Sequence, residues 1–126
     1  MDANGHRRTQ EDDGMALTRD FKATIVERAR KDSKFRRGML TRGIALLVAG
    51  SGEDVQVGKS FIRDYINATI GFAVLARKTR MPKESLMRML GPSGNPTLDN
   101  LNQVTHALLK NEGLTEPDNL LVSVRG

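Results

Sequence analysis

Residues 71–90 read GFAVLARKTRMPKESLMRML, and the reading of this stretch decides the fold. Phe72, Leu75 and Ala76 make the apolar face of a short helix, and Thr79-Arg80-Met81 interrupts it. Pro82 then stands at the first position of a second helix, where its missing N–H is no loss, and Leu86, Met89 and Leu90 recur at helical spacing. Two short helices joined by a three-residue turn, with the small Ala76 where they cross closely, make a helix-turn-helix unit. The turn formers of residues 91–96 follow it. A last helix from Thr97 faces Leu98, Leu101, Val104, Thr105 and Leu108 inward, and Gly113 terminates it.

Working outward, three further segments carry helical periodicity. With Thr18 as N-cap and Asp20 in the first turn, the first places Phe21, Ile25, Val26 and Ala29 on one face and ends near Lys31. The second follows Ser33, spaces Phe35, Met39, Leu40, Ile44, Leu47 and Val48 at helical intervals, and stops at Gly50-Ser51-Gly52. A third, over about 54–69, carries the stripe Val57, Phe61, Ile62, Tyr65, Ile66 and Ile70, and Gly71 closes it. Residues 1–16 are polar and aperiodic and read as a disordered tail, with Met15 as a second candidate translation start. Residues 17–113 then form one helical domain. Residues 114–126 are a C-terminal tail in which 119–125 alternate as in a short edge strand able to pair with a second copy or a partner's sheet; a frayed terminus is the equal alternative.

Composition agrees with helices. The chain of 126 residues is 38% hydrophobic with four Phe, one Tyr and no Trp, so aliphatic and Met side chains must build the core, Met39, Met81 and Met89 among them. The absence of Cys excludes disulfides and zinc-thiolate fingers, and two distant His make no structural metal site. No apolar run approaches the ~20 residues that span a bilayer, and the N-terminus lacks the apolar core of a secretory signal. A cytoplasmic protein without membrane contact or cofactor is expected.

The net charge of +5 is unevenly spread: residues 17–50 carry +6 and residues 71–90 carry +4, the remaining segments being weakly acidic. The first basic block comprises Arg28, Arg30, Lys31, Lys34, Arg36 and Arg37; the second, Arg77, Lys78, Arg80, Lys83 and Arg88. Nucleic acid is the first partner such blocks suggest. For the first block a solvated face, a wider phosphate footprint and a docking surface for a partner all stay open.

One near-motif competes. Residues 52–60, GEDVQVGKS, follow an apolar run as a phosphate-binding loop would, but five residues instead of four separate Gly52 from Gly58, and no later strand supplies a magnesium-binding Asp. Lys59 and Ser60 are therefore expected on the solvent face of the third helix. Neither His6 nor His106 has a nucleophile and a carboxylate patterned around it, so no catalytic residue is expected and the chain does not read as an enzyme.

A helix-turn-helix reads DNA by placing its second helix in the major groove. With Leu86 and Met89 inward, the outward set is Lys83, Glu84, Ser85, Met87 and Arg88. Lys83 and Arg88 can donate to guanine O6 and N7, Glu84 can accept from cytosine N4, and Met87 can touch a thymine methyl. The alternative is a solvated face with a Glu84 to Arg88 pair one turn apart. Arg77 and Lys78, with Ser93, Gly94 and Asn95 in the connector, would hold phosphates, the connector being otherwise a plain turn. One such helix discriminates too little, so a homodimer with half-sites about 34 Å apart is expected.

The string GFAVLARKTRMPKESLMRMLGPSGNPTLDNLNQVTHALLKNEG, residues 71–113, resembles the Xre/Cro-like helix-turn-helix family and, within it, the short antitoxin-like regulators of addiction modules. Leu75-Ala76, Leu86, Gly94-Asn95-Pro96-Thr97, Asn100-Leu101 and Ala107-Leu108 fall where that pattern puts its core and connector residues. Residues 17–70, especially Arg63-Asp64-Tyr65-Ile66-Asn67, also look like that group. Two positions depart from it. Arg80 stands where a Gly usually takes a left-handed backbone, at a cost of roughly 1 kcal/mol, and Phe72 replaces the Gln that commonly opens the first helix, which removes one side-chain phosphate contact and leaves only the backbone N–H groups at Phe72 to hold that phosphate. The resemblance implies an all-α, five-helix Xre/Cro-like domain. It further implies a transcriptional regulator on a double-stranded DNA operator, the antitoxin of a toxin-antitoxin pair that binds a small ribonuclease-type toxin and acts as repressor of their shared operon. A helical protein-protein interaction module without DNA binding is the alternative, and a nucleotide-hydrolysing enzyme a third reading.

Overall fold

A computed structural model of the chain describes residues 19–114, and these form six helices with no strand among the described residues. They are α1 (19–31), α2 (Ser33–Ala49), α3 (Glu53–Ala68), α4 (Gly71–Thr79), α5 (Lys83–Met89) and α6 (Leu98–Asn111). The all-α class is as expected. The count is six instead of five because each apolar-periodic segment folds as a separate helix. The N-terminal tail, Thr18 and the alternating segment 119–125 lie outside the described residues.

Local chemistry accounts for the boundaries. Asp32 is extended (φ −118°, ψ 103°) and its Oδ1 accepts the Phe35 N–H at 3.1 Å, so Asp32, and not Ser33, caps α2 and separates it from α1. Thr97 caps α6 in the same way, accepting the Asn100 N–H at 3.2 Å. At its other end, Gly113 (φ 77°) donates to the Lys110 carbonyl and Leu114 to the Leu109 carbonyl, a Schellman termination that needs the left-handed backbone Gly supplies.

α2 and α3 form an antiparallel pair through the short 50–52 loop, and two glycines set how closely they approach. A Cβ on Gly43 would lie 2.9 Å from Ile62 Cδ1, and one on Gly58 would lie 2.8 Å from the Gly43 carbonyl oxygen. Backbone therefore meets backbone at the crossing. Leu40, Ile62 and Ile66 are fully buried beside it, and the core continues through Leu75 of α4, Leu86 of α5 and Val104 and Leu108 of α6. Met39 and Met89 are buried and Met81 packs against them, as core-filling methionines should. Four expected core positions are exposed instead: Phe21 (64%), Val48 (64%), Val57 (44%) and Leu98 (70%). Each sits at the margin of its apolar stripe, beyond the arc that the neighbouring helices cover.

The centre of the fold holds a charge. Glu112, at the C-cap of α6, has a side chain only 3% exposed. Its carboxylate accepts from Arg36 Nε at 3.0 Å, from Arg37 Nε at 3.1 Å and from the Tyr65 hydroxyl at 2.7 Å, while Asn111 Nδ2 donates to the Tyr65 oxygen at 3.1 Å. This network joins α2, α3 and α6. α1 is tied to α3 by Lys22, whose ammonium lies 3.2 Å from Asp64 Oδ2 and also donates to Ser60.

The packing can be probed at two positions. Replacing Gly58 by Ala gains up to about 1 kcal/mol of helix propensity but forces the crossing apart. A net loss of about 1–2 kcal/mol is expected, read as a lower urea midpoint. Burial, reinforced by the Glu112 carboxylate, holds the Tyr65 phenol above its ordinary pKa. Stability from this group is complete below the unfolded phenol's pKa of about 10 and is lost as pH rises above it. Thermal melts should fall above that pH, and Tyr65→Phe should flatten the fall.

Candidate nucleic-acid interface

α4, α5 and the connector build the surface in question. α4 starts at Gly71 (φ 77°) with no side-chain cap bond at Ile70, so no capping side chain competes for its first N–H groups. The Phe72 side chain packs against the core, which leaves backbone donors alone at that end. Arg80 ends α4 in the left-handed conformation (φ 58°, ψ 33°), the geometry expected at the turn, and is the one non-Gly residue with positive φ among the described residues. Thr79 Oγ1 donates to the Leu75 carbonyl at 2.8 Å and Met81 N–H to the Ala76 carbonyl at 3.2 Å, which fixes the turn despite the strained residue. Pro82 is the N-cap of α5 and not its first helical residue; its φ of −59° suits either position, and its carbonyl accepts the first helical bond, from Leu86.

α5 buries Leu86 and Met89 and leaves Lys83, Glu84, Ser85, Met87 and Arg88 exposed, the split its periodicity requires. Glu84 and Arg88 form no ion pair. Ser85 and Arg88 line a concavity of about 430 Å³ together with Ser93, Gly94 and Asn95, so part of the base-facing set meets the connector set on one surface. Lys83, Glu84 and Met87 lie outside that concavity, and Lys78 lines a different one with Arg80 and Lys110. Arg77 is exposed beside Lys78.

The connector is held from beneath by α3. Lys59, expected on the solvent face, is only 3% exposed; its ammonium donates to the carbonyls of Gly91 (3.2 Å) and Gly94 (2.5 Å). Gln56 Nε2 donates to the Pro92 carbonyl at 3.2 Å, and Arg63 donates to the Leu90 carbonyl. The Walker-like segment is thus helix from Glu53 onward, and its lysine is committed to protein carbonyls. Ser60 is half-buried against Lys22, also away from the expected solvent face. Gly94 donates its N–H to Gly91 and accepts from Lys59, and a Cβ there would collide with the Arg88 carbonyl oxygen. Its part is to shape the connector and seat it against the end of α5, which leaves Ser93 and Asn95 as the connector's exposed polar side chains.

Charge pairing divides the chain. Among the described residues every ion pair uses a cation between Lys22 and Arg37: Lys22–Asp64, Arg28–Asp32, Arg30–Glu27, Lys31–Glu27, Arg36–Glu112 and Arg37–Glu112. Lys31 and Arg30 hold the Glu27 carboxyl below its ordinary value, the Lys31 contact being the stronger cause. Arg28 also lies over the Phe35 ring, 4.3 Å from its centroid. Of the first basic block, Lys34 alone has no carboxylate partner among the described residues. In the second block none of the five has one. Sequence reasoning missed this division, and it missed the α3 clamp although Gln56, Lys59 and Arg63 recur at i, i+3 and i+7.

No protein-family model matches the chain, and no curated protein or solved structure matches it either.

The clamp yields a test. Lys59→Met keeps the buried stem and removes the donor for two connector carbonyls; a stability loss of about 1–3 kcal/mol is expected. Amide hydrogen exchange at residues 91–95 should accelerate more than exchange in α1.

Proposed function

We propose that the protein is a sequence-specific, double-stranded DNA-binding transcriptional regulator. The observation that carries this reading is the contrast in charge pairing. Six of the nine cations of α1 and α2, all but Arg19, Lys34 and Arg42, are engaged with acids of the same chain, whereas Arg77, Lys78, Arg80, Lys83 and Arg88 have no carboxylate partner among the described residues and surround a turn-defined helix. A charge left without an internal partner on a convex helix beside a fixed turn is what a phosphate-rich ligand requires.

In this reading α5 enters the major groove. Arg88 and Lys83 donate to guanine edges, Glu84 accepts from cytosine, Met87 contacts a thymine methyl, and Ser85 bonds either base type. Backbone N–H groups at the start of α4, with Arg77, Lys78, Ser93 and Asn95, take phosphates and set orientation. The α3 clamp and Gly94 keep the connector at a constant distance from α5, so the two contact sets engage one duplex together. Two copies on half-sites about 34 Å apart double the discrimination of one helix.

The family resemblance extends the proposal to an Xre/Cro-like antitoxin that represses the operon it shares with a small ribonuclease-type toxin. A second reading, a helical protein-protein interaction module without DNA binding, draws on a different observation. Ile25, Phe35, Met39 and Phe61 line an apolar concavity of about 360 Å³ flanked by Lys34 and Arg42, a surface suited to a protein partner.

Titration of a duplex from the protein's own promoter at several salt concentrations decides between them. A steep salt slope is expected, with Arg88→Ala losing about 1–3 kcal/mol at one base position and Lys78→Ala weakening all sequences alike. Promoter DNA bound no better than random DNA at about 100 mM salt would sink the regulator reading.

A further inference from the structure

A second cationic hollow lies away from the α5 face. A groove of about 640 Å³ runs between the C-terminal turn of α4 and the outer row of α6, with Lys78 and Arg80 on one wall and Gln103, His106 and Lys110 on the other. No carboxylate lines it, Ala107 is the one apolar side chain on its wall, and none of its three cations has an acidic partner among the described residues. Glu112, the nearest acid in sequence to Lys110, turns its carboxylate inward to Arg36, Arg37 and Tyr65. The groove therefore keeps its full positive charge.

Its position is as informative as its charge. Thr79 and Arg80 line this groove, while the next two residues, Met81 and Pro82, line the concavity beside α5. On α6 the same continuity holds: Asn100 belongs to the α5 concavity, and Gln103, one helical turn on, belongs to the groove. The two hollows flank the α4–α5 turn along one row of α6. From Asn100 to Lys110 that row spans about 15 Å, long enough to follow more than one phosphate of a single DNA strand.

We propose that this groove is a second phosphate-binding surface, which takes the sugar-phosphate backbone of the duplex as it passes the α4–α5 turn. The inference rests on the DNA-binding reading above and adds to it a footprint of Arg80, Gln103, His106 and Lys110. A backbone fits better than an acidic protein segment because the polar tips on the walls are three cations with Thr79, Gln103, His106 and Asn111, and no large apolar side chain stands there as the anchor that a protein contact needs. Arg80 acquires a purpose in this arrangement: the left-handed position places a cation at the junction of the two hollows, where Gly would relieve strain and carry no charge.

The test is the double variant Arg80→Gln/Lys110→Gln, measured by fluorescence anisotropy against a random-sequence duplex and a promoter duplex over a salt series. Removing one phosphate-bound cation should lower the slope of log K against log salt by about 0.9, so a fall of about 1.8 is expected for the pair. Both duplexes should lose affinity by the same factor, at least about tenfold at low salt, with their ratio unchanged. Where the double variant fails to fold by circular dichroism, Lys110→Gln at an exposed site serves alone, with an expected fall of about 0.9. An unchanged slope in a folded variant overturns the proposal, as does a loss confined to the promoter duplex. Saturation of the groove by a mononucleotide or by polyglutamate, with the duplex slope unchanged, would assign it to a small phosphate ester or an acidic protein and overturn the proposal equally. A wild-type protein that binds random DNA steeply with salt but does not prefer its promoter defeats the regulator reading and leaves the groove standing; promoter preference with an unaltered slope in the variant does the reverse.

Discussion

A carboxylate buried at the C-terminal end of a helix meets two penalties, loss of water and the negative end of the macrodipole. Glu112 is placed in that position, and the fold is organised by what neutralises it. Two guanidinium groups from α2 and the hydroxyl of Tyr65 from α3 converge on its oxygens, so α6 cannot shift relative to the α2–α3 pair without exposing an unmatched charge in the interior. Because α6 also packs on α4, with Leu108, Val104 and Leu75 in one core cluster, this network helps to position the helix-turn-helix alongside the α3 contacts to α4 and the connector.

The same network explains where the positive charge is available. The N-terminal half holds more cations than the helix-turn-helix, yet Arg36 and Arg37 go to Glu112, Arg30 and Lys31 to Glu27, and Lys22 to Asp64. The buried members of these pairs matter most; the exposed pairs on α1 contribute little to stability but still lower the outward charge of that face. On α4, α5 and α6 no cation forms an ion pair among the described residues, although Glu84 stands one turn from Arg88. The electrostatic asymmetry that supports a nucleic-acid partner is thus a product of pairing, and total charge per segment points the opposite way.

How far the residues alone led differs between fold and site. The periodicity of Phe35, Met39, Leu40 and Leu47, or of Leu101, Val104 and Leu108, finds every helix because burial repeats with the helical period. It mislocates Phe21, Val48, Val57 and Leu98, since the width of the covered arc is set by neighbours and not by the helix itself. In the site, the outward set on α5 was legible for the same reason its inward set was. Lys59 was not, because an isolated lysine on a helix is read as solvated unless the carbonyls of Gly91 and Gly94 are known to arrive beside it. Gly94 was legible as a turn residue, but its close approach to the Arg88 carbonyl was visible only in three dimensions.

By itself the sequence determined the helical class, the position of the α4–α5 turn and the start of α6 at Thr97, because each follows from helical periodicity or from turn chemistry within a few residues. Only the tertiary structure decided that Lys22, Arg36, Arg37 and Lys59 are engaged, whereas Arg28, Arg30 and Lys31 pair with acids three or four residues away. Glu112 and Arg36 are separated by 76 residues, and Lys59 and Gly94 by 35. No local rule connects such pairs. The function argued for this chain depends on the charges those long-range contacts leave free.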